Sequence, residues 1–180
     1  MAVKITYFVH GTTIDNENHV SSGRSDAPLS DVWVQQAKDL PQQTDIARFD
    51  VVFCSDLQRA FNSAELAFGN NIRIIQDSRL RECNYGTYDG KPTDIVEPLQ
   101  EANITTRFPE GESYEDVKTR IAAFLDDVKK NYDGKHIAIV WHKAPQLSLD
   151  VLLQHKTREE AFASDWRKQH AWQPWWEYVL

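Results

Sequence analysis

Two histidines stand at the ends of apolar runs, and their chemistry sets the reading of the chain. Residues 3–13, Val-Lys-Ile-Thr-Tyr-Phe-Val-His-Gly-Thr-Thr, have the pattern of a buried strand that runs into a turn at Gly11 and leaves His10 at the strand's carboxyl end. Residues 136–142, His-Ile-Ala-Ile-Val-Trp-His, repeat the arrangement and end in His142. One imidazole nitrogen can act as a nucleophile while the other is held as N–H by a carbonyl. Each histidine alone reads equally well as a core residue satisfied by backbone. The pair favours chemistry, because a parallel sheet brings all its carboxyl ends to one edge. Neighbouring strands would then set His10 and His142 side by side, where open α/β sheets place ligands.

The remaining elements have to position these groups. Val51-Val-Phe-Cys54 is a short apolar run of the kind found in parallel strands buried on both faces. Ser55 or Asp56 is then expected to cap a helix to about Phe68, with Arg59 one turn in. A helix that starts at the carboxyl edge of the sheet points its first amides, and the Arg59 guanidinium, at an anion. The alternative is a surface arginine pairing with Asp56. Ser30 is expected to cap a helix over residues 31–40, limited by Pro41, and a further strand is expected near Ile72–Ile75. Residues 12–27 read as a long polar loop over the site, and residues 93–103 as a weakly helical insertion. The Asp15-Asn-Glu-Asn18 cluster lacks the glycine and closing glutamate of a calcium loop.

Ser113 followed by Asp116 opens a long helix to about Tyr132, in which Val117, Ile121, Phe124, Leu125 and Val128 keep the spacing of a helix packed on a sheet. Lys143 to about Leu153 continues as a helix with Pro145 in its first turn, where proline is tolerated, and Thr157-Arg-Glu-Glu starts a shorter one. The tail carries Trp166, Trp172, Trp175 and Trp176. Folding back as an edge strand is its default reading, and a partner surface the alternative.

A chain of 180 residues, 41% hydrophobic and 26% charged, suits one domain spanning 1–180 with an ordinary core. A net charge of −7 argues against nucleic acid or an anionic membrane as partner, and leaves room for a phosphate in a locally basic pocket. Cys54 and Cys83 lack Cys-x-x-Cys spacing and read as reduced, buried thiols. No run approaches a bilayer-spanning length and no cleavable apolar leader is seen, so the expected location is cytoplasmic.

Five blocks of the chain resemble, in order, the histidine phosphatase superfamily of phosphoglycerate-mutase-like proteins. They are Phe8-Val-His-Gly-Thr12, Asp26-Ala-Pro-Leu-Ser30 with Gln36-Ala37, Ser55-Asp-Leu-Gln-Arg59 with Ala64-Glu65, Leu80-Arg-Glu82 with Tyr85-Gly86, and Gly111-Glu-Ser113 leading to His142. The resemblance implies a three-layer α/β/α sandwich with a mostly parallel central sheet. It also implies a phosphoryl transfer in which His10 attacks phosphorus, Glu82 protonates the departing oxygen and water hydrolyses the phosphohistidine. In that scheme Arg59, His142 and the amide of Asn16 clamp the phosphate, with Gly11, Lys143 and Ser113 as further phosphate- or substrate-binding residues. No cofactor and no metal are required.

Three positions depart from the family pattern: Val9 replaces its arginine, Lys143 its glycine after the second histidine, and Trp33 a glycine in the helix after Ser30. Losing an arginine that forms charge-assisted bonds costs about 1.5–3 kcal/mol per bond. Lys143 is expected to restore part of that charge. The first reading is a phosphatase acting on a small phosphorylated metabolite, because the family's mutases are longer, with insertions that enclose their substrate. The alternatives are a catalytically impaired relative that binds a phosphorylated ligand, and a mutase-type phosphotransferase. An interaction protein built around the tryptophan-rich tail leaves the four retained groups His10, Arg59, Glu82 and His142 unexplained, since each is costly to bury unpaired.

Overall fold

Alternate residues of three strands feed two separate cores, and this makes the molecule three-layered. In the computed structural model, which describes residues 1–35, 45–165 and 175–180, the strand residues Tyr7, Val51, Phe53, Ile137 and Ile139 face one way. They pack there against Val117, Ile121, Phe124 and Leu147. Phe8, Val52, Cys54, Ala138 and Val140 face the other way, against Ala64, Ala67 and Phe68. Period-two alternation with both faces apolar is what a covered parallel sheet demands.

Among the described residues the chain runs β1 (Lys4–Val9), α1 (Ile14–Glu17), β2 (Val20–Ser21), α2 (residues 31–35), β3 (Val51–Cys54), α3 (Gln58–Phe68), β4 (Ile74–Gln76), β5 (Lys91–Pro92) and α4 (Thr93–Ala102). There follow α5 (Tyr114–Asn131), β6 (His136–Trp141), α6 (Lys143–Leu153), α7 (Arg158–Ala163) and β7 (Trp175–Val179). The main sheet has the order β4-β3-β6-β1-β7, in which only β7 is antiparallel to its neighbour. This is the expected α/β/α architecture with a mostly parallel sheet. β1 and β6 are adjacent and in register from Lys4 opposite His136 to Val9 opposite Trp141, so both chains leave the sheet at the same level.

Local signals set several helix starts. Ser113 and Thr157 form the expected capping boxes with Asp116 and Glu160, and all five apolar positions named for α5 are buried. Two caps fail for a physical reason. The Ser55 hydroxyl accepts from the Leu57 amide and lies 2.9 Å from a ring nitrogen of His142, while Asp56 pairs with Arg81. Both side chains are taken, so α3 starts later, without a side-chain cap, and Arg59 is its second residue. The Ser30 hydroxyl makes no hydrogen bond among the described residues. The helix expected over 31–40 is described only to residue 35, and Gln36, Leu40 and Pro41 lie outside the described residues.

The stretch 12–27, expected as one long loop, folds further. Thr13 and Asn16 cap α1 reciprocally, and β2 pairs with β5 in a small second sheet. In the tail, β7 is an edge strand as its default reading required, with the Trp176 ring 5.1 Å from that of Tyr7 and the Tyr178 hydroxyl donating to Asp150 at 2.7 Å. Trp166 and Trp172 lie outside the described residues. Cys54 and Cys83 are free and buried. No helix among the described residues is long and apolar enough to cross a membrane.

Candidate active site

β1 and β6 deliver their histidines to the same edge. The His10 amide donates to the carbonyl of Trp141 at 3.0 Å, and the His10 and His142 rings lie 4.9 Å apart, tilted by 59°. Nδ1 of His10 is 2.7 Å from the carbonyl oxygen of Gly11. A carbonyl only accepts, so this nitrogen carries the proton and the lone pair is on Nε2.

Gly11 is itself fixed from two sides. Its amide donates to Ser63 Oγ at 3.0 Å, and the Ser63 hydroxyl donates to the carbonyl of Arg59 at 2.6 Å. A Cβ at position 11 would lie 1.9 Å from the Trp33 ring, so only glycine fits beneath that indole. The segment carrying His10 is thereby tied to the helix that carries Arg59. Ser63 was legible as a neighbour of Arg59, one helical turn on, but not as a partner of Gly11.

Arg59 is 2% exposed, and its Nη1 and Nη2 donate to the carbonyls of Ser25 and Gly23 at 2.8 and 2.6 Å. Burial pushes its guanidinium below the ordinary range, while the Glu82 carboxylate pulls the other way; the group stays charged. His142 is fully buried, with Nε2 against Ser55 and its carbonyl accepting from the Tyr7 hydroxyl. Glu82 sits before the first turn of α6. Its Oε1 accepts from the amides of Cys83 at 2.8 Å and Ala144 at 3.0 Å, and its Oε2 from that of Lys143 at 3.0 Å. The Lys143 and Ala144 amides are first-turn donors of α6 that have no partner within the helix, at an end where the macrodipole favours negative charge.

His10, Arg59, Glu82 and Asn16 line a cleft of about 360 Å³, together with Val9. The Asn16 side-chain oxygen accepts from the Thr13 amide and hydroxyl at 3.0 and 2.9 Å, which leaves its NH₂ end as the donor toward a ligand. Such a lining can receive an anion between the Arg59 guanidinium, the Asn16 NH₂ group and the His10 imidazole. Among the described residues no group of three or more His, Cys, Asp or Glu side chains is placed to hold a metal ion.

The sequence pattern of the histidine phosphatase superfamily, branch 1, matches residues 7–171. The chain belongs to this superfamily. It is 35% identical over 144 residues to fructose-2,6-bisphosphatase TIGAR B of Danio rerio, covering 73% of this chain and 55% of the relative. It is 31% identical over 142 residues to the probable phosphoglycerate mutase GpmB of Yersinia pestis, covering 74% and 66%. The chain thus spans between about half and two thirds of the length of these curated relatives. Solved structures with the same fold include Bacillus stearothermophilus YhfR, at TM-score 0.79 and 24% identity over 89% of this chain and 84% of that one. A putative alpha-ribazole-5'-P phosphatase from Escherichia coli matches at TM-score 0.79 and 21% identity, covering 91% and 85%.

Three residues that the superfamily resemblance placed around the phosphate sit otherwise. Ser113 does not line the cleft: its buried hydroxyl donates to Asp116 Oδ2 at 2.8 Å and accepts from the Asp116 amide at 3.1 Å, so it is a helix cap. Gly11 gives its amide to Ser63, its carbonyl accepts from His10 Nδ1, and it is not among the residues that line the cleft. Lys143 does line the cleft, but its ammonium lies 3.1 Å from Asp165 and 3.9 Å from Glu97, so it is not an uncommitted replacement for the arginine missing at Val9. Asp165 was invisible as a partner because 22 positions separate it from Lys143, and sequence spacing carries no signal for such a pair.

Proposed function

We propose that this superfamily member is a metal-independent phosphomonoesterase that passes a phosphoryl group from a small phosphorylated metabolite through His10 to water. The observation that carries the reading is the His10 tautomer: the Gly11 carbonyl fixes the proton on Nδ1 and leaves Nε2 basic, next to Arg59. Nε2 attacks phosphorus, the bond to the leaving oxygen breaks, and that oxygen takes a proton. Water then attacks the phosphohistidine, the P–N bond breaks, and inorganic phosphate leaves with Nε2 restored. The names of the relatives support phosphoryl-group chemistry in general. The phosphatase reading rests on the charges of the cleft, where Arg59 stands beside the basic nitrogen of His10. Purified protein is expected to release phosphate from p-nitrophenyl phosphate at the same rate with and without excess chelator. Rapid acid-free quench should trap a phosphoenzyme that is labile to acid and stable to base. Loss of turnover in chelator, or turnover with no such phosphoenzyme, would remove the mechanism.

Glu82 is the proton donor in this reading. Oε1 already accepts two amides and Oε2 only one, so a proton is accommodated on Oε2, the less engaged oxygen of a cleft-lining carboxyl. Glu82→Gln keeps the shape and lacks the proton. It is expected to slow an alkyl phosphate about 10²-fold more than p-nitrophenyl phosphate, whose leaving group needs no acid. Equal slowing of the two substrates would make Glu82 an anchor of α6 and nothing more.

A further inference from the structure

One face of α4 forms a wall of the cleft. Thr93, Glu97 and Gln100 recur at the spacing that stacks side chains on one side of a helix, and all three line the cavity. Beside them stand Ser21 and Tyr85. The Ser21 hydroxyl donates to Thr93 Oγ1 at 3.4 Å, and the Gln100 amide donates to the Tyr85 hydroxyl at 3.3 Å. This wall offers hydroxyl groups, an amide and one carboxylate. Burial keeps the Tyr85 phenol neutral by pushing it well above its ordinary range.

Among the described residues the lining contains two cations, Arg59 and Lys143. Arg59 stands with His10 and serves the phosphoryl group. The Lys143 ammonium faces two carboxylates, that of Asp165, whose side chain is completely buried, and that of Glu97, whose side chain is 55% exposed. Two carboxylates thus face this ammonium, and Glu97 is the one that lines the cleft. Val9 adds no charge where the family pattern has arginine. His19, exposed on the lining, is the remaining basic group. Among the described residues, a second phosphate or a carboxylate on the substrate would meet no ammonium or guanidinium on the α4 wall, and would approach Glu97.

We propose that the cleft selects phosphomonoesters whose alcohol portion carries hydroxyl or amino groups and no second negative charge, and that Glu97 is the residue that sets this selection. The inference rests on the phosphomonoesterase reading of the same site. Its physical content is that a carboxylate on the alcohol portion meets like charge at short range in a partly dry cleft, whereas a hydroxymethyl or ammonium group meets acceptors.

Glycerol 3-phosphate and 3-phosphoglycerate test it, because they differ only in a hydroxymethyl group against a carboxylate. Each is measured as a competitor of p-nitrophenyl phosphate turnover, so that affinity is read whether or not the compound is itself hydrolysed. Glycerol 3-phosphate is expected to compete roughly tenfold or more better than 3-phosphoglycerate at low salt, with phosphoethanolamine at least as good as glycerol 3-phosphate. Glu97→Gln should shrink the gap by improving 3-phosphoglycerate, and Glu97→Lys should reverse it. Glu97 is exposed on α4, so both variants are expected to fold, and an unchanged unfolding temperature confirms it. Equal competition by the pair, no competition by any of the three compounds, or a gap that survives Glu97→Lys overturns the selection. If p-nitrophenyl phosphate turnover is itself absent, or survives His10→Ala, the phosphomonoesterase reading fails first.

Discussion

His10→Ala is expected to lower kcat for p-nitrophenyl phosphate on the order of 10⁴-fold, to the floor set by the cleft's electrostatics alone. The size follows from the role. A nucleophile that forms a covalent intermediate has no substitute in the site, because water would have to attack phosphorus from the position the imidazole occupies. His142 does not take over: its Nε2 lies against the Ser55 hydroxyl, and the residue is fully buried. The fold should survive. His10 is only partly buried, and the Gly11 carbonyl it releases can turn to water in a cleft of this size. Steady-state kinetics beside thermal unfolding separate the two effects. Turnover within tenfold of wild type in a folded His10→Ala variant would show that phosphoryl transfer bypasses this imidazole.

What the sequence made legible here is what short-range physics controls. Apolar runs ending in His10 and His142 identified two parallel strands, and the carboxyl-edge rule brought them together before any coordinates. The Ser113–Asp116 and Thr157–Glu160 boxes each span four residues, and both were found in place. Legibility failed wherever a side chain had a choice of partners distant in sequence. Asp56 had Arg59 three positions away and instead pairs with Arg81. Lys143 had the phosphate site beside it and instead meets Asp165. Ser113 carried two compatible roles, and its position beneath the start of α5 left it the capping one. The Ser63–Gly11 bond and the Trp33 ring over Gly11 needed the tertiary fold, because nothing within either segment announces the other.

Arg59→Ala is expected to lower kcat/KM about 10²–10³-fold, the worth of a preorganised donor set in a partly desolvated site. Among the described lining residues Arg59 is the one guanidinium, and Val9 makes it more important than its counterpart would be in a site with two. A guanidinium has five N–H donors; the carbonyls of Gly23 and Ser25 take one each, which leaves donors for phosphate oxygens. The same two bonds hold the 23–25 segment to the first turn of α3, so the variant also loses stability, by about 1.5–3 kcal/mol for each charged hydrogen bond removed. Arg59→Lys separates the two roles. Lysine keeps the charge but cannot fork between two carbonyls and a phosphate, so it should recover less than tenfold of the lost kcat/KM. Inhibition by inorganic phosphate provides the second readout and should weaken in parallel with kcat/KM in both variants. A lowered unfolding temperature with unchanged phosphate inhibition would make Arg59 a tether for the 23–25 segment, and the phosphate would then have to be held by His10, Asn16 and other groups of the cleft without it.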